Sequence, residues 1–162
     1  MSLAKLTGHV IEYFRKPRWI EHSVKVYAYA LGIGGEEGLG GADLTVLCAA
    51  ALLHDVGIPA AKEKYGSAAG EYQEAEGARL TPELLEKAGV PEPLHERIAW
   101  LVGHHHHKEL APDDIVLQIL MEADYLVNLV EGNVKEKTPA EVHDSFFRTD
   151  TGKRYLHALF DF

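Results

Sequence analysis

One stretch limits the fold more than any other part of the chain. From Leu44 to Val56 the residues are apolar almost all round, which is typical of a central helix packed on several sides. The apolar run ends in the doublet His54-Asp55, and Gly57 and Pro59 then stop the predicted helix. We therefore expect a buried helix with a histidine and an aspartate in its last turn.

The rest of the chain also predicts helices, because apolar residues recur at helical spacing and no alternating strand pattern is present. The sequence therefore predicts an all-α protein, with residues 1–162 forming a single domain. The expected segments begin with a helix from Pro17 or Arg18 to Leu31 ended by the glycine-rich segment, a central helix capped by Asp43, and a loop or short helical turn over 62–66. They continue with helices over about 67–79, 81–89 and 93–104, a long helix from Pro112-Asp113-Asp114 to Val130, and at least one more helix, near 151–160.

Composition excludes several classes of function. The chain carries a formal net charge of -9, which argues against a nucleic-acid partner because such binding depends on Lys and Arg neutralising phosphates. The beginning of the chain has no apolar signal-like region, and Leu44–Leu53 is too short to span a bilayer. The single cysteine, Cys48, excludes an intramolecular disulfide and fits the core. We expect a cytoplasmic protein with no membrane partner; a homo-oligomer is left open.

Several polar residues fall on apolar helix faces. Asp124 follows Leu120 by four residues and precedes Val127 by three, so its carboxylate should face the core and needs a partner. Asn128, one turn further on, lies on the same side and could orient this carboxylate. His22 likewise falls within an apolar stripe. Taken singly, each such residue is more often a hydrogen-bonded core residue than a metal ligand.

Four consecutive histidines, His104 to His107, form the second unusual feature. At least one of His104 and His105 should face inward, because each follows an apolar residue by four positions. We expect His106 and His107 to face solvent, and we assign no role to four further histidines, His9, His95, His143 and His157. Imidazoles and carboxylates brought together from three helices would form a divalent-metal site.

These residues resemble a known signature. His22, the doublet His54-Asp55 and Asp124 are similar to the H...HD...D pattern of the HD-domain superfamily of helical metal-dependent phosphohydrolases. The segments LLHDVGI, EKYG, YQEAEG, LVGHHH, QILMEADYLVN and FFRTDTGKRYL look like successive motifs of a bacterial HD subgroup of unassigned substrate. The resemblance implies an HD fold with the metal site between central helices, and His22, His54, Asp55 and Asp124 as ligands of one metal.

The cofactor implied is a divalent transition metal (Mn, Fe, Co, Ni or Zn), one or two ions per chain. Many two-metal relatives carry a further histidine where this chain has Gln73, with Glu74 beside it, while His104 or His105 can fill the other position. This departure leaves a second metal at Glu74, His104 and His105 open. Relatives that cleave cyclic dinucleotides carry Lys where this chain has Ile58, together with a GYP motif that is absent here.

The function implied by the resemblance is hydrolysis of a phosphomonoester or phosphoanhydride, with a small-molecule phosphate ester, foremost a nucleotide, as substrate. Asp55 is the expected catalytic base or orienting group. The candidate substrate contacts are Arg18, Lys62, Lys64, Gln73 and Asn128. Two alternatives stay open: a two-iron oxygenase of the HD type, which needs a fuller ligand set, and a non-catalytic sensor that binds a nucleotide.

Overall fold

The structure, a computed structural model, describes residues 2–162, and within them it contains helices and no strand. The all-α prediction is therefore confirmed. Two short 3₁₀ helices, Glu92–Leu94 and Lys108–Asp113, join some of the longer elements. The α-helices are α1 (Ser2–Phe14), α2 (Pro17–Glu36), α3 (Gly41–Leu53), α4 (Ile58–Tyr65), α5 (Gly70–Ala88), α6 (His95–Val102), α7 (Ile115–Val130), α8 (Pro139–Ser145) and α9 (Asp150–Phe160).

Helix α3 lies at the centre of the core. Every residue from Val46 to Leu53 is buried, and α3 packs against α1, α2, α6 and α7. Apolar side chains on all sides of one helix can be buried only in such a position, so the prediction from its sequence is confirmed. Cys48 is fully buried here, as expected. The expected cap is wrong: α3 begins at Gly41, and Asp43 lies in its first turn without a capping hydrogen bond.

Helix α2 is longer than the sequence predicts, because it continues through the first part of the glycine-rich segment to Glu36. Two of the glycines, Gly32 and Gly34, serve close packing rather than termination. A Cβ atom at Gly32 would lie 2.7 Å from the hydroxyl oxygen of Tyr155 on α9. Packing between two helices at this distance offsets the low helix propensity of glycine.

Helix α5 is also continuous where the sequence predicts two helices. The predicted break at Thr81-Pro82 lies inside α5, and the hydroxyl of Thr81 donates a hydrogen bond to the carbonyl oxygen of Gly77 at 2.8 Å. Residues 62–65, expected in a loop or short turn, belong to α4. For α5, burial of Thr81 against neighbouring helices outweighed a local signal that favours a helix end. Residues 62–65 are exposed and simply extend the turn that the sequence allows into the end of α4.

Two helices were absent from the prediction. Helix α1 buries Leu6, Val10 and Phe14, which follow one another at intervals of four residues, and it packs against α3 and α5. Helix α8 is short and begins with a capping box, in which Thr138 and Glu141 bond each other's backbone amides. The start of α7 is as predicted, since the Asp114 side chain accepts a hydrogen bond from the amide of Leu117.

A buried carboxylate fixes the last part of the chain to α7. Glu122 is fully buried and accepts hydrogen bonds from the amides of Arg148 and Thr149, the Thr149 hydroxyl and the Gln118 side chain. Gln118 also donates to the carbonyl oxygen of Phe146. The segment before α9 therefore has a defined position against α7.

Within residues 2–162 no single helix is both long and apolar enough to cross a membrane, and only the bent pair α3 and α4 meets that test jointly.

Candidate metal centre

Four predicted ligand residues converge where the end of α3 meets α2 and α7. The Nε2 atom of His22 lies 3.2 Å from Nε2 of His54, 3.1 Å from Oδ1 of Asp124 and 3.4 Å from Oδ2 of Asp55. His54 Nε2 lies 3.4 Å from both carboxylates. One atom each from His22, His54 and Asp124 lies within 4.8 Å of the others, the spacing of a group that can hold a metal ion. Their role as ligands stays a prediction.

The other ring nitrogen of each histidine is held by an acceptor. His54 Nδ1 lies 2.8 Å from the carbonyl oxygen of Ala51, and His22 Nδ1 lies 3.0 Å from a carboxylate oxygen of Glu131. Because these oxygens only accept, each Nδ1 carries the hydrogen. In the neutral rings both Nε2 lone pairs then point into the cluster, as they do in metal-bound histidines.

The carboxylates make this pocket strongly selective for positive charge. Burial lowers the pKa of His54, but Asp55 and Asp124 outweigh that effect and the pKa lies well above its usual value. Burial also opposes ionisation of Asp124, yet hydrogen bonds with His22 and His54 hold its pKa well below the usual range. Both directions have one cause: two buried carboxylates require a compensating charge, which either imidazolium ions or a bound cation can supply.

Helix α7 adds supporting groups on one face. Asn128 Nδ2 donates a hydrogen bond to Asp124 Oδ1 at 2.9 Å, the contact that their spacing predicts. Glu131, just after α7, bonds His22 and lies 3.4 Å from the Lys25 ammonium. The sequence reasoning missed Glu131, although it follows Asp124 by seven residues and Asn128 by three and so falls on the same helix face.

His105 is the inward-facing member of the histidine run. Its side chain is buried, its Nδ1 lies 2.8 Å from the carbonyl oxygen of Val102, and its Nε2 faces Asp55 Oδ1 at 3.8 Å. Burial and the neighbouring His106 and His54 lower the pKa of His105 to about 3, so the ring is neutral. Its Nε2 therefore offers a lone pair directed towards Asp55.

The structure does not bring His104 into either group that can hold a metal, so its role as a second-metal ligand stays a prediction. Its ring stacks on Trp100 at 4.4 Å, and its Nδ1 bonds the Trp100 carbonyl oxygen. A second group that can hold a metal consists instead of Glu74, His105 and His106. His106 is exposed, as expected, and it places Nδ1 3.4 Å from Glu74. His107 also approaches Glu74, at 3.4 Å.

Two cavities adjoin the cluster from different sides. The first, about 280 Å³, is lined by His22 and Asp55 together with four of the predicted substrate contacts, Arg18, Lys62, Gln73 and Asn128. The second, about 330 Å³, is lined by Asp124, Asn128 and residues of α7 and the histidine run. Lys64 lines neither cavity, and its role as a substrate contact stays a prediction. It bonds Glu76 at 2.9 Å, because α4 turns this side chain towards α5.

Buried hydrogen-bond acceptors without a partner also indicate that the cluster suits a cation. Within residues 2–162 only three buried side-chain polar atoms lack a hydrogen-bond partner, and two of them, His105 Nε2 and Gln73 Oε1, belong to residues beside the cluster. Both are acceptors, since Gln73 Nε2 already donates to Ala68 and His105 Nδ1 to Val102. Buried acceptors without donors are costly, and a cation satisfies them.

Comparison with protein families matches residues 19–129 to the HD domain. The chain belongs to the HD-domain family. The match spans α2 to α7 and includes His22, His54, Asp55 and Asp124, so the residues that converge in space lie within the family's own segment. No curated protein and no solved structure matched the chain. Members of this family bind divalent metals and are generally hydrolases of the metal-dependent phosphohydrolase type, which gives the cluster its expected class of chemistry.

Proposed function

We propose that this protein is a metal-dependent phosphohydrolase that acts on a phosphomonoester or phosphoanhydride, foremost a nucleotide. The observation that supports the proposal most is the convergence of His22, His54, Asp55 and Asp124, with each histidine anchored through Nδ1. Two imidazole nitrogens and two carboxylates are a donor set suited to Mn, Fe, Co, Ni or Zn. A bound ion supplies Lewis-acid stabilisation of the phosphoryl group and acidifies water.

The substrate phosphoryl group is assigned to the cavity lined by Arg18 and Lys62. Neither cation has a carboxylate within 4.0 Å among the described residues, and Lys62 lies over the Trp19 ring at 5.3 Å. Unpaired cations beside a cluster of carboxylates are unusual in a chain with a net charge of -9. They bind phosphoryl oxygens, while the amides of Gln73 and Asn128 supply further hydrogen bonds.

Asp55 is the proposed base or orienting group. Burial raises its pKa, but His54 outweighs burial and the pKa is lowered, so the carboxylate is ionised at neutral pH. Its Oδ2 faces His22 and His54, while its Oδ1 faces the side of His105. An ionised oxygen in this position accepts a hydrogen bond from the attacking water and aligns it for displacement at phosphorus.

A second ion at Glu74, His105 and His106 is a weaker or substrate-completed site in this proposal, since one of its ligands is half-exposed. The same group is the observation that favours the alternative, an HD-type two-iron oxygenase. Glu74→Gln distinguishes the two. We expect it to leave one tight ion per chain in place; two tight ions in the wild type, with one lost in the variant, would revive the oxygenase.

The proposal is tested by elemental analysis of the purified protein, followed by a hydrolysis screen over nucleotides and sugar phosphates. His54→Ala and Asp124→Ala should lose both the metal and the activity. His9→Ala, a histidine on α1 outside the cluster, is the matched control and should retain both. Equal metal content in all four proteins would refute the site.

A nucleotide that binds without turnover would favour the non-catalytic sensor. The cytoplasmic location, the absence of nucleic-acid partners and any homo-oligomer stay predictions.

A further inference from the structure

The second cavity differs in chemistry from the phosphoryl cavity. One wall is apolar, with the thioether of Met121, the ring of Tyr125 and the side chain of Val134, whereas the first cavity carries Arg18 and Lys62. The rest of the lining of the second cavity is polar and consists of His105, His106, Lys108, Asp124 and Asn128. Asn128 lines both cavities, and Asp124 of the cluster lines the second. A ligand can therefore extend from one cavity past the cluster into the other.

The apolar wall is held rigidly from behind. The Tyr125 ring packs on Phe146 at 5.1 Å, and Phe147 lies edge-on to Tyr125 at 6.4 Å. Phe146 is fixed in turn through its carbonyl oxygen, which accepts from Gln118. Aromatic surfaces that are already ordered bind a ring with little further loss of conformational entropy.

Polar and charged groups form the other part of the lining of this cavity, and two of them lie at the aromatic wall. Lys108 places its ammonium over the rings of Tyr125 and Phe146, at 5.3 and 5.4 Å, and no carboxylate lies within 4.0 Å of it among the described residues. The Tyr125 hydroxyl makes no hydrogen bond to any residue of 2–162. An apolar wall with unpaired polar groups beside it is typical of small-molecule sites.

The volume sets the size of the occupant. A cavity of about 150 Å³ holds one benzene ring, so about 330 Å³ accommodates one or two fused rings. Part of the wall comes from outside the family match, since Val134 and the supporting Phe146 follow residue 129. The cavity is thus formed largely within the HD segment, and residues that follow this segment complete its wall.

We infer that the cavity lined by Met121, Tyr125, Lys108 and Val134 binds a planar aromatic leaving group, while the transferred phosphoryl group occupies the cavity of Arg18 and Lys62. This inference rests on the proposed function and adds to it which of the two cavities holds the leaving group. A nucleoside and a simple aryl alcohol are the two sources of such a ring.

The test compares kcat/KM for two aromatic esters, adenosine monophosphate and phenyl phosphate, with two aliphatic esters, ribose 5-phosphate and glycerol 3-phosphate. Val134→Asp places a charge in the cavity, and Val130→Asp makes the same change on α7 at a residue that lines neither cavity. We expect the aromatic-to-aliphatic ratio to fall about tenfold in Val134→Asp, the size of one lost base–aromatic contact, and to stay at the wild-type value in Val130→Asp. A preference for the nucleotide over phenyl phosphate identifies the ring source as a nucleoside.

A wild-type ratio near one, or an equal fall in both variants, would overturn the inference while leaving the phosphohydrolase intact. If no ester is hydrolysed, the proposed function fails. Calorimetric titration with adenosine then tests separately whether the second cavity binds an aromatic ring. Adenosine binding that is lost in Val134→Asp and kept in Val130→Asp supports the inference, whereas no binding to the wild type refutes it. Tyr125→Leu provides a second variant in case Val134→Asp does not fold.

Discussion

Gly57 is the position at which a single methyl group should do most damage to the fold. A Cβ atom there would lie 2.5 Å from the amide nitrogen of Gly77 and closer still to the carbonyl oxygen of Gln73, both on the backbone of α5. Ordinary contacts of a Cβ atom begin near 3.4 Å, so α5 would have to move by more than an ångström. Backbone cannot rotate out of the way as a flexible side chain can, and Gly57 stands two residues after Asp55.

We expect Gly57→Ala to lower the free energy of unfolding by about 3 kcal/mol or more, at the upper end of the range for overpacking. For a chain of this length the midpoint of thermal unfolding should fall by about 6–12 °C. The assay is thermal unfolding of the metal-free protein followed by circular dichroism. The matched control is Gly8→Ala in α1, where an added Cβ meets nothing within 4 Å and the change should stabilise by about 0.5–1 kcal/mol. Equal stability of Gly57→Ala and the wild type would refute the steric argument.

Three further outcomes are expected. The stabilisation that metal confers, measured as the difference in unfolding midpoint with and without a chelator, should narrow as pH falls towards 5. The reason is that protons compete with metal for the ligating imidazoles. The pKa values of His22 and His54 are raised in the folded protein, so their protonation stabilises the metal-free protein fully below about pH 6.5 and progressively less above it. A difference in midpoint that stays constant with pH would contradict histidine ligation. Glu131→Gln, which weakens the acceptor of His22 Nδ1, should reduce metal affinity about 10–100-fold by competition titration, while Glu141→Gln in the exposed capping box of α8 should not. Burial raises the pKa of the Cys48 thiol to about 11, so at pH 8 only about one thousandth of the thiol groups are ionised. A thiol reagent should therefore label the native protein far more slowly than the unfolded protein. Similar labelling rates would show that α3 opens readily.

The centre of the fold and of the candidate site was predictable because buried positions show a clear pattern of apolar residues in the sequence. Polar residues within apolar stripes, such as His22 and Asp124, point inward whatever the neighbouring helices are. A helix with apolar residues all round must be central, which placed the His54-Asp55 doublet inside the protein. For these residues local spacing alone determines the direction of the side chain.

The differences between the sequence-based expectations and the structure depend on contacts between distant segments. Nothing near Gly32 in the sequence shows that Tyr155 packs on it, and nothing near Lys64 shows that Glu76 will pair with it. His104 and His105 each fit an inward position by spacing, and only the end of α6 decides that His104 stacks on Trp100. Glu131 is the exception, since the face shared with Asp124 and Asn128 was available from spacing alone.

The buried carboxylate of Glu122 shows that the folded unit extends beyond the end of the family match. The family match ends at residue 129, yet the amides of Arg148 and Thr149 compensate a fully buried charge within that match. A chain shortened at the family boundary would leave this charge buried without most of its donors, and would uncover the core side chains that Val142, Phe147 and Leu156 now protect. Expression trials guided by the family boundary alone should therefore give insoluble protein, and any useful truncation has to keep α9.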